Sequence, residues 1–353
     1  MADATSGISV EIRHLFKIFG AEPHKHVEAV RAGLSKTELN EKHHHVLGLR
    51  DISIEMPAGG IQVIMGLSGS GKSTLIRHVN RLIEPTAGEV LVGGVDVVKM
   101  SEAELRNFRR HRTAMVFQKF ALLPHRTVLD NVVFGLELQG VSRTAQLEAA
   151  MRWIERVGLK GFENRYPNQL SGGMQQRVGL ARALANDAPI LLMDEAYSAL
   201  DPLIRVDMQT VLLDIQKEVR KTIVFITHDL DEALRLGDRI AILRDGEVVQ
   251  QGTSQDIVLR PADDYIANFV KEVNRGRVVR VGSTMEPLGS EPVSSVTIDA
   301  EATIEAAAHL LRAHRLEALT VVDPAGRPLG RIMMRDVLAA MFPEESGEVA
   351  KRA

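Results

Sequence analysis

The sequence contains no cysteine. That excludes a disulfide scaffold, a thiolate metal site and a cysteine nucleophile, and it fits a reducing compartment. Aromatic residues make up only 4% of a chain that is 45% hydrophobic, so its cores must be aliphatic. Long apolar runs are missing too. The longest stretch free of Asp, Glu, Lys and Arg is the 16 residues Met56–Gly71, rich in glycine and serine. A spanning helix needs about 20 mostly apolar residues. The opening MADATSG has no basic n-region and no apolar h-region. No secretory signal is therefore expected, and the chain should stay in the cytosol, where a partner can still hold it at a membrane. Excess positive charge is absent as well: 43 Lys and Arg face 46 Asp and Glu, a net charge of −3. That balance argues against a dedicated nucleic-acid binder.

The length of 353 residues suggests two domains at roughly 150 residues each. Residues 8–20 alternate apolar and polar (Val10, Ile12, then Leu15, Ile18, Phe19), which reads as an edge strand and turn. Ala21–His45 is polar and His-rich, and reads as an insertion between strands. Ile61–Met65, Ile190–Met193 and Ile223–Ile226 are short aliphatic runs expected to be buried parallel strands. Helical patterns lie between them, so the body is expected to be α/β. Helical periodicity from Arg126 to Asn168 predicts a helical subdomain, with outer limits of about 119–175. Arg106, Arg109, Arg110 and Arg112 read as a solvated helix face.

Gly66-Leu67-Ser68-Gly69-Ser70-Gly71-Lys72-Ser73-Thr74 follows one of these strands and opens a helical pattern. Glycines in this spacing let backbone N–H groups close around phosphate at a helix N-terminus, where orphan donors and the dipole favour anions. Lys72 is expected to reach the β- and γ-phosphates and the Ser73 hydroxyl to ligate Mg²⁺. Asp194 and Glu195 end the run from Ile190. Asp194 at the strand tip is placed to hold Mg²⁺ through water. Glu195 is the expected general base for an attacking water.

At Leu170-Ser171-Gly172-Gly173-Met174-Gln175-Gln176-Arg177 the chain resembles the signature motif of the ATP-binding-cassette ATPases. The resemblance covers about residues 8–272. It implies a P-loop NTPase fold with a helical subdomain, residues 1–275 forming the ATPase domain, and ATP and Mg²⁺ as cofactors. By the same resemblance Gln118 is the Gln-loop residue, contacting Mg²⁺ and sensing the γ-phosphate. Asp201 is the D-loop residue, His228 the switch histidine, and Phe19 the aromatic that stacks on adenine. Ser171, Gly172 and Gly173 would bind the γ-phosphate of a second copy in a head-to-tail dimer. The wording around LGLRDISIEMPAGG, AMVFQKFALLPHRTVLDNV and LLMDEAYSALDPLIR resembles ATPases of glycine betaine/proline (quaternary-amine) importers, some of which take choline. This implies transmembrane permease subunits and a substrate-binding protein as partners, no nucleic acid, and a peripheral position on the cytoplasmic side of the inner membrane. Gln118–Val133, with Lys119, Phe120 and Leu123 exposed, would form the groove for a permease helix.

Beyond Asn274-Arg275-Gly276-Arg277 the pattern becomes strand–helix–strand–strand–helix. Asp299 is expected to cap a helix with the stripe Ile304, Ala307, Ala308 and Leu311, and a hairpin turns at Asp323–Gly326. This small α+β domain, residues 278–345, resembles a single cystathionine-β-synthase (CBS) motif. Met333 stands where that family has Ser or Thr, three residues before Asp336, which removes a hydroxyl from any nucleotide site. From Gly276 on, nine basic residues face eleven acidic ones, so a cationic sensing surface is no better supported. Two other readings compete with a transport ATPase: a soluble cassette ATPase on nucleic acid or ribosomes, and a nucleotide-responsive regulatory protein. The first usually joins two ATPase domains in one chain, and this chain has a single phosphate loop.

Overall fold

A computed structural model describes residues 7–198, 200–288 and 294–342, and the chain divides into two compact units after Gln251. The first unit is built on two sheets. One runs in the order β10 (Glu247–Gly252), β9 (Arg239–Arg244), β3 (Ile61–Met65), β8 (Thr222–Thr227), β7 (Ile190–Asp194), β6 (Thr113–Val116). From β9 to β6 every neighbouring pair is parallel. All residues of β3, β7 and β8 are buried, which is why they read as unbroken aliphatic runs and not as alternation. The C-terminal ends of β3, β8, β7 and β6 therefore lie side by side, where open parallel sheets place their ligands.

The second sheet is antiparallel, in the order β2 (Val46–Met56), β1 (Val10–Phe19), β4 (Ala87–Val92), β5 (Val95–Asp96). Here the reading of an edge strand is corrected: β1 pairs with β2 on one side and β4 on the other. Its alternation breaks because the chain bulges at His14, at φ 48°, so that Leu15 and Phe16 are both buried. Ile12, Leu15, Ile54, Ile64, Leu75 and Val224 meet in one aliphatic core.

The insertion forms α1 (Val27–Arg31) and α2 (Lys36–His43), the latter opened by a Ser35–Glu38 capping box. Val27, Val30 and Leu39 pack with Phe16, Ile18 and Leu47, so the insertion builds a small core of its own. Each ring nitrogen of His45 lies 2.6 Å from a carbonyl oxygen, of His43 and of Ala21. Those nitrogens close the loop onto the strands.

The helices α3 (Lys72–Val79), α4 (Glu102–His111), α7 (Gly172–Ala185) and α9 (Leu230–Leu236) pack on strands of the parallel sheet, α8 (Pro202–Val219) packs on α9, and α5 (Val128–Gln139) and α6 (Arg143–Arg156) pack on each other and on α7. Arg109 departs from the solvated face expected of its helix. Its guanidinium donates to the Asn80 and Arg81 carbonyls at 2.9 and 2.5 Å and closes the turn after α3. Among the described residues no helix is long and apolar enough to cross a membrane.

His78, on α3, is fully buried, with its Nδ1 2.7 Å from the Thr74 carbonyl and its Nε2 without a protein partner. Burial pushes this imidazole down from 6.5 to about 4. The folded chain thus binds fewer protons than the unfolded chain between those values. Its stability should be full above 6.5 and fall toward pH 4, by up to about 3 kcal/mol for a shift of this size. In His78→Gln that slope should flatten, as urea midpoints at about pH 7.5 and about pH 5 will show.

The second unit begins with α10 (Ser254–Leu259), α11 (Asp264–Val270) and α12 (Arg275–Val278), earlier than the composition shift near Asn274. Its sheet has the order β11 (Glu286–Pro287), β14 (Pro328–Met333), β13 (Ala318–Val322), β12 (Thr297–Asp299), with α13 (Ile304–His314) and α14 (Met334–Met341) packed together. Asp299 does not cap α13. Thr303 does, while Asp299 accepts from the Glu301 amide at 2.8 Å. Asp336 accepts from the Met333 amide at 3.0 Å, which commits one of its oxygens to capping α14.

Candidate nucleotide site

The phosphate loop joins β3 to α3, and its shape depends on glycine at two places. At Gly66 (φ 152°) an added Cβ would lie 2.3 Å from the Leu243 carbonyl oxygen, and at Gly71 (φ 101°) 2.8 Å from that of Gly48. Neither fits a side chain. Gly71 is also the N-cap of α3, so the loop ends on the free N–H groups of a helix start. Ser70 Oγ is buried in the loop with no protein partner. Lys72 is 4% exposed, and its ammonium donates to the Gly66 and Leu67 carbonyls at 2.8 and 3.0 Å. Burial pulls its pKa down, while Glu195, 3.7 Å away, pulls it back up.

The neighbouring strand ends bring the acidic and amide groups to the same place. Asp194, at the tip of β7, accepts from Ser73 Oγ at 2.7 Å and from the Arg77 guanidinium at 3.1 Å. Glu195 takes a left-handed turn at φ 45°, a conformation that costs a non-glycine residue about 1–3 kcal/mol. Ser198 holds that turn, its amide and hydroxyl donating to the Glu195 carbonyl at 3.2 and 3.0 Å. The Gln118 amide, beyond β6, donates to Glu195 Oε2 at 3.0 Å and to Ser198 Oγ at 3.4 Å. His228, beyond β8, places Nδ1 3.8 Å from the same Glu195 oxygen. One carboxylate thus faces a lysine, an amide and an imidazole from the segments that follow β3, β6 and β8.

Residues 49–198 match the ABC transporter family and residues 290–343 the CBS domain. The chain is 47% identical to the glycine betaine/proline betaine transport system ATP-binding protein ProV of Salmonella typhimurium, over 97% of this chain and 85% of that one. The chain belongs to the ABC transporter family. This ABC subunit is likewise 48% identical to the glycine betaine transport ATP-binding protein OpuAA of Bacillus subtilis, over 94% and 78% of the two chains. It is 44% identical to the trimethylamine N-oxide transport system ATP-binding protein TmoW of Ruegeria pomeroyi, over 92% and 94%. A dimeric bacterial ABC transporter cassette, MJ0796, superposes with a TM-score of 0.60 at 32% identity, covering 69% of this chain and 98% of that one. The subunit is an ATP-binding transport ATPase, which sets aside the ribosomal and purely regulatory readings.

The remaining residues singled out in the sequence of this ABC subunit stand on several other elements. Phe19, at the end of β1, is 40% exposed, with the Lys17 ammonium 4.9 Å from its ring centroid. A Cβ on Gly48 would touch that ring at 2.7 Å, so Gly48 lies between Phe19 and the phosphate-loop residue Gly71. Ser171 caps α7 through the Met174 amide. Gly172 lies beside Phe120 and Gly173 beside Ile204. Asp201 is exposed at the start of α8. Ser68 and Gly69 are exposed on the loop, and Thr74 lies on α3. Phe120 and Leu123 are half-buried, contrary to expectation, and only Lys119 of the three is exposed. Phe120 instead supports the signature segment. Arg77 and Ser198 were not singled out in the sequence: one is an ordinary helix arginine by pattern, and the other follows the carboxylates without a motif of its own.

Proposed function

We propose that this subunit hydrolyses MgATP as a head-to-tail homodimer, on the cytoplasmic face of the membrane, to drive import of a quaternary amine or related osmoprotectant such as glycine betaine, proline betaine or choline. Two permease subunits and a substrate-binding protein complete the transporter on this reading. What carries it is likeness along nearly the whole chain, insertion and CBS segment included, to ATP-binding proteins named for glycine betaine, proline betaine and trimethylamine N-oxide. The ATPase subunit does not touch the solute, so the choice among these rests with its partners.

The residues present fit the nucleotide and its metal. The glycine cradle at Gly66 and Gly71 and the unpartnered Ser70 hydroxyl suit phosphate oxygens, and Ser68, Gly69 and Thr74 complete the loop. Ser73, Asp194 and the Gln118 carbonyl oxygen are the hard donors that Mg²⁺ takes. When bound, that ion supplies positive charge against the phosphates. Lys72 adds a buried ammonium to the same end. Glu195 takes the proton of the attacking water, while Gln118 and His228 hold its carboxylate and the water in line. Phe19 stacks on the base. The second copy contributes its Ser171–Gly173 segment and its Asp201, so a complete site forms only on closure, and hydrolysis removes the contact that favours the closed state. Leu338 and Phe342, four residues apart on and just beyond α14, are 50% and 69% exposed, which supports self-association of the CBS segment as a tether.

A groove of 360 Å³ between α4, α5 and α7 is the seat proposed for the permease helix, with Leu82, Met115, Leu123 and Phe134 in its wall. Leu82 is 51% exposed. In reconstituted vesicles the parent complex should take up labelled glycine betaine with ATP. Leu82→Asp should cut uptake by about tenfold or more through loss of a buried apolar contact, with ATP affinity unchanged. Uptake at the parent rate would show that the permease docks elsewhere.

A further inference from the structure

We infer that Arg205 and Asp229 act together as positioning residues, fixing the His228 loop to the segment that precedes α8. The inference rests on the reading of Glu195 and His228 given above. Arg205 lies one turn into α8, and its guanidinium forks. One arm donates to the Asp229 carboxylate at 3.1 Å, the other to the Leu200 carbonyl at 3.4 Å. Leu200 immediately precedes Asp201, and Asp229 immediately follows His228. A single side chain therefore bridges the two segments. Asp229 is itself held from three directions: its amide donates to Thr227 Oγ1 at 3.0 Å, its Oδ1 accepts from the Glu232 amide at 3.0 Å, and its Oδ2 takes the arginine. His228 thus sits between two residues, Thr227 and Asp229, that bind each other.

The same helix pair is tied again further along. Gln209 donates to the buried Glu232 at 3.1 Å, and Arg235 donates to Gln209 and Thr210 at 2.8 and 2.9 Å. With these ties α8 and α9 form one body, and Arg205 is the tie nearest the chemistry. Its pair with Asp229 is only partly exposed, at 25% and 33% of the two side chains, so solvent screens it less than a surface pair. A displacement of the Asp201 segment on dimer closure would then carry His228 with it. An arginine is required because a bidentate fork fixes direction, where an ammonium fixes only distance.

The test is steady-state ATP hydrolysis by the full-length subunit. Arg205→Gln and Asp229→Asn should each lower kcat by about 10- to 100-fold, the worth of a charged hydrogen bond made good only in the transition state. The KM for ATP should stay within about twofold, since no ground-state contact is lost. Asparagine caps a helix as well as aspartate, so Asp229→Asn keeps the start of α9 and isolates the ion pair. The double variant should be no slower than the slower single, and Arg205→Lys should recover only part of the rate. A parental kcat in Asp229→Asn, or losses that multiply in the double variant, would overturn the coupling. His228→Ala at the parental rate would instead overturn the reading of His228 on which the coupling depends.

Discussion

Glu195→Gln is expected to bind ATP as tightly as the parent and to hydrolyse it about 10²–10⁴-fold more slowly, the usual contribution of a positioned base. The substitution keeps the shape of the side chain, so the Gln118 and Ser198 contacts that hold the turn have the same space to form. It removes the carboxylate proposed to accept the proton of water, while the side chain stays turned toward Lys72, Gln118 and His228. With hydrolysis blocked and binding intact, the ATP-bound closed dimer should accumulate. Size-exclusion chromatography with and without ATP reads that accumulation, and phosphate release reads the rate. A variant that turns over near the parental rate would remove Glu195 from the role of base.

Lys72→Ala should act at the preceding step. The ammonium is nearly inaccessible and is held by two loop carbonyls. Its removal takes a donor from both oxygens, leaving the Leu67 carbonyl with only the Ser70 amide at 3.2 Å, and leaves Glu195 without its nearest cation. It also takes away the charge that the phosphates would meet. Two lost charge-assisted contacts at about 1.5–3 kcal/mol each correspond to a loss of ATP affinity of at least about 100-fold. Titration with a fluorescent ATP analogue measures it. The two variants should therefore separate: Glu195→Gln binds and stalls, whereas Lys72→Ala fails to bind. Parental affinity in Lys72→Ala would leave the loop glycines and helix start as the whole phosphate site.

How much of this was legible in the sequence depended on how local each feature is. The buried strands β3, β7 and β8 were readable because parallel strands covered on both faces are mostly aliphatic and do not alternate. Lys72, Ser73, Asp194 and Glu195 were readable because each belongs to a short contiguous motif, the first pair opening α3 and the second at the end of β7. The pairing of β1 on both sides was not, since alternation shows that one face of a strand is buried and not how many neighbours the strand has. Arg77, Ser198, Arg205 and Asp229 were missed for another reason. Arg77, Arg205 and Asp229 have partners on other elements, Arg205 and Asp229 being 24 residues apart, and Ser198 is met by Gln118 from beyond β6; such contacts leave no periodicity in the chain. Phe120 shows the converse. An apolar residue in a loop suggested an exposed docking point, yet the fold turns its ring toward Gly172.

The contact at Gly48 has a consequence for nucleotide choice. Gly48 would face neither phosphate nor base, yet its bare backbone separates the Phe19 ring from Gly71. On the proposed reading of Phe19, the gap between base and triphosphate is therefore gauged by a peptide with nothing attached. Any side chain at that position would wedge the aromatic outward and move the base relative to the loop. The preference for one purine over another would then shift without a change in any residue that touches the nucleotide.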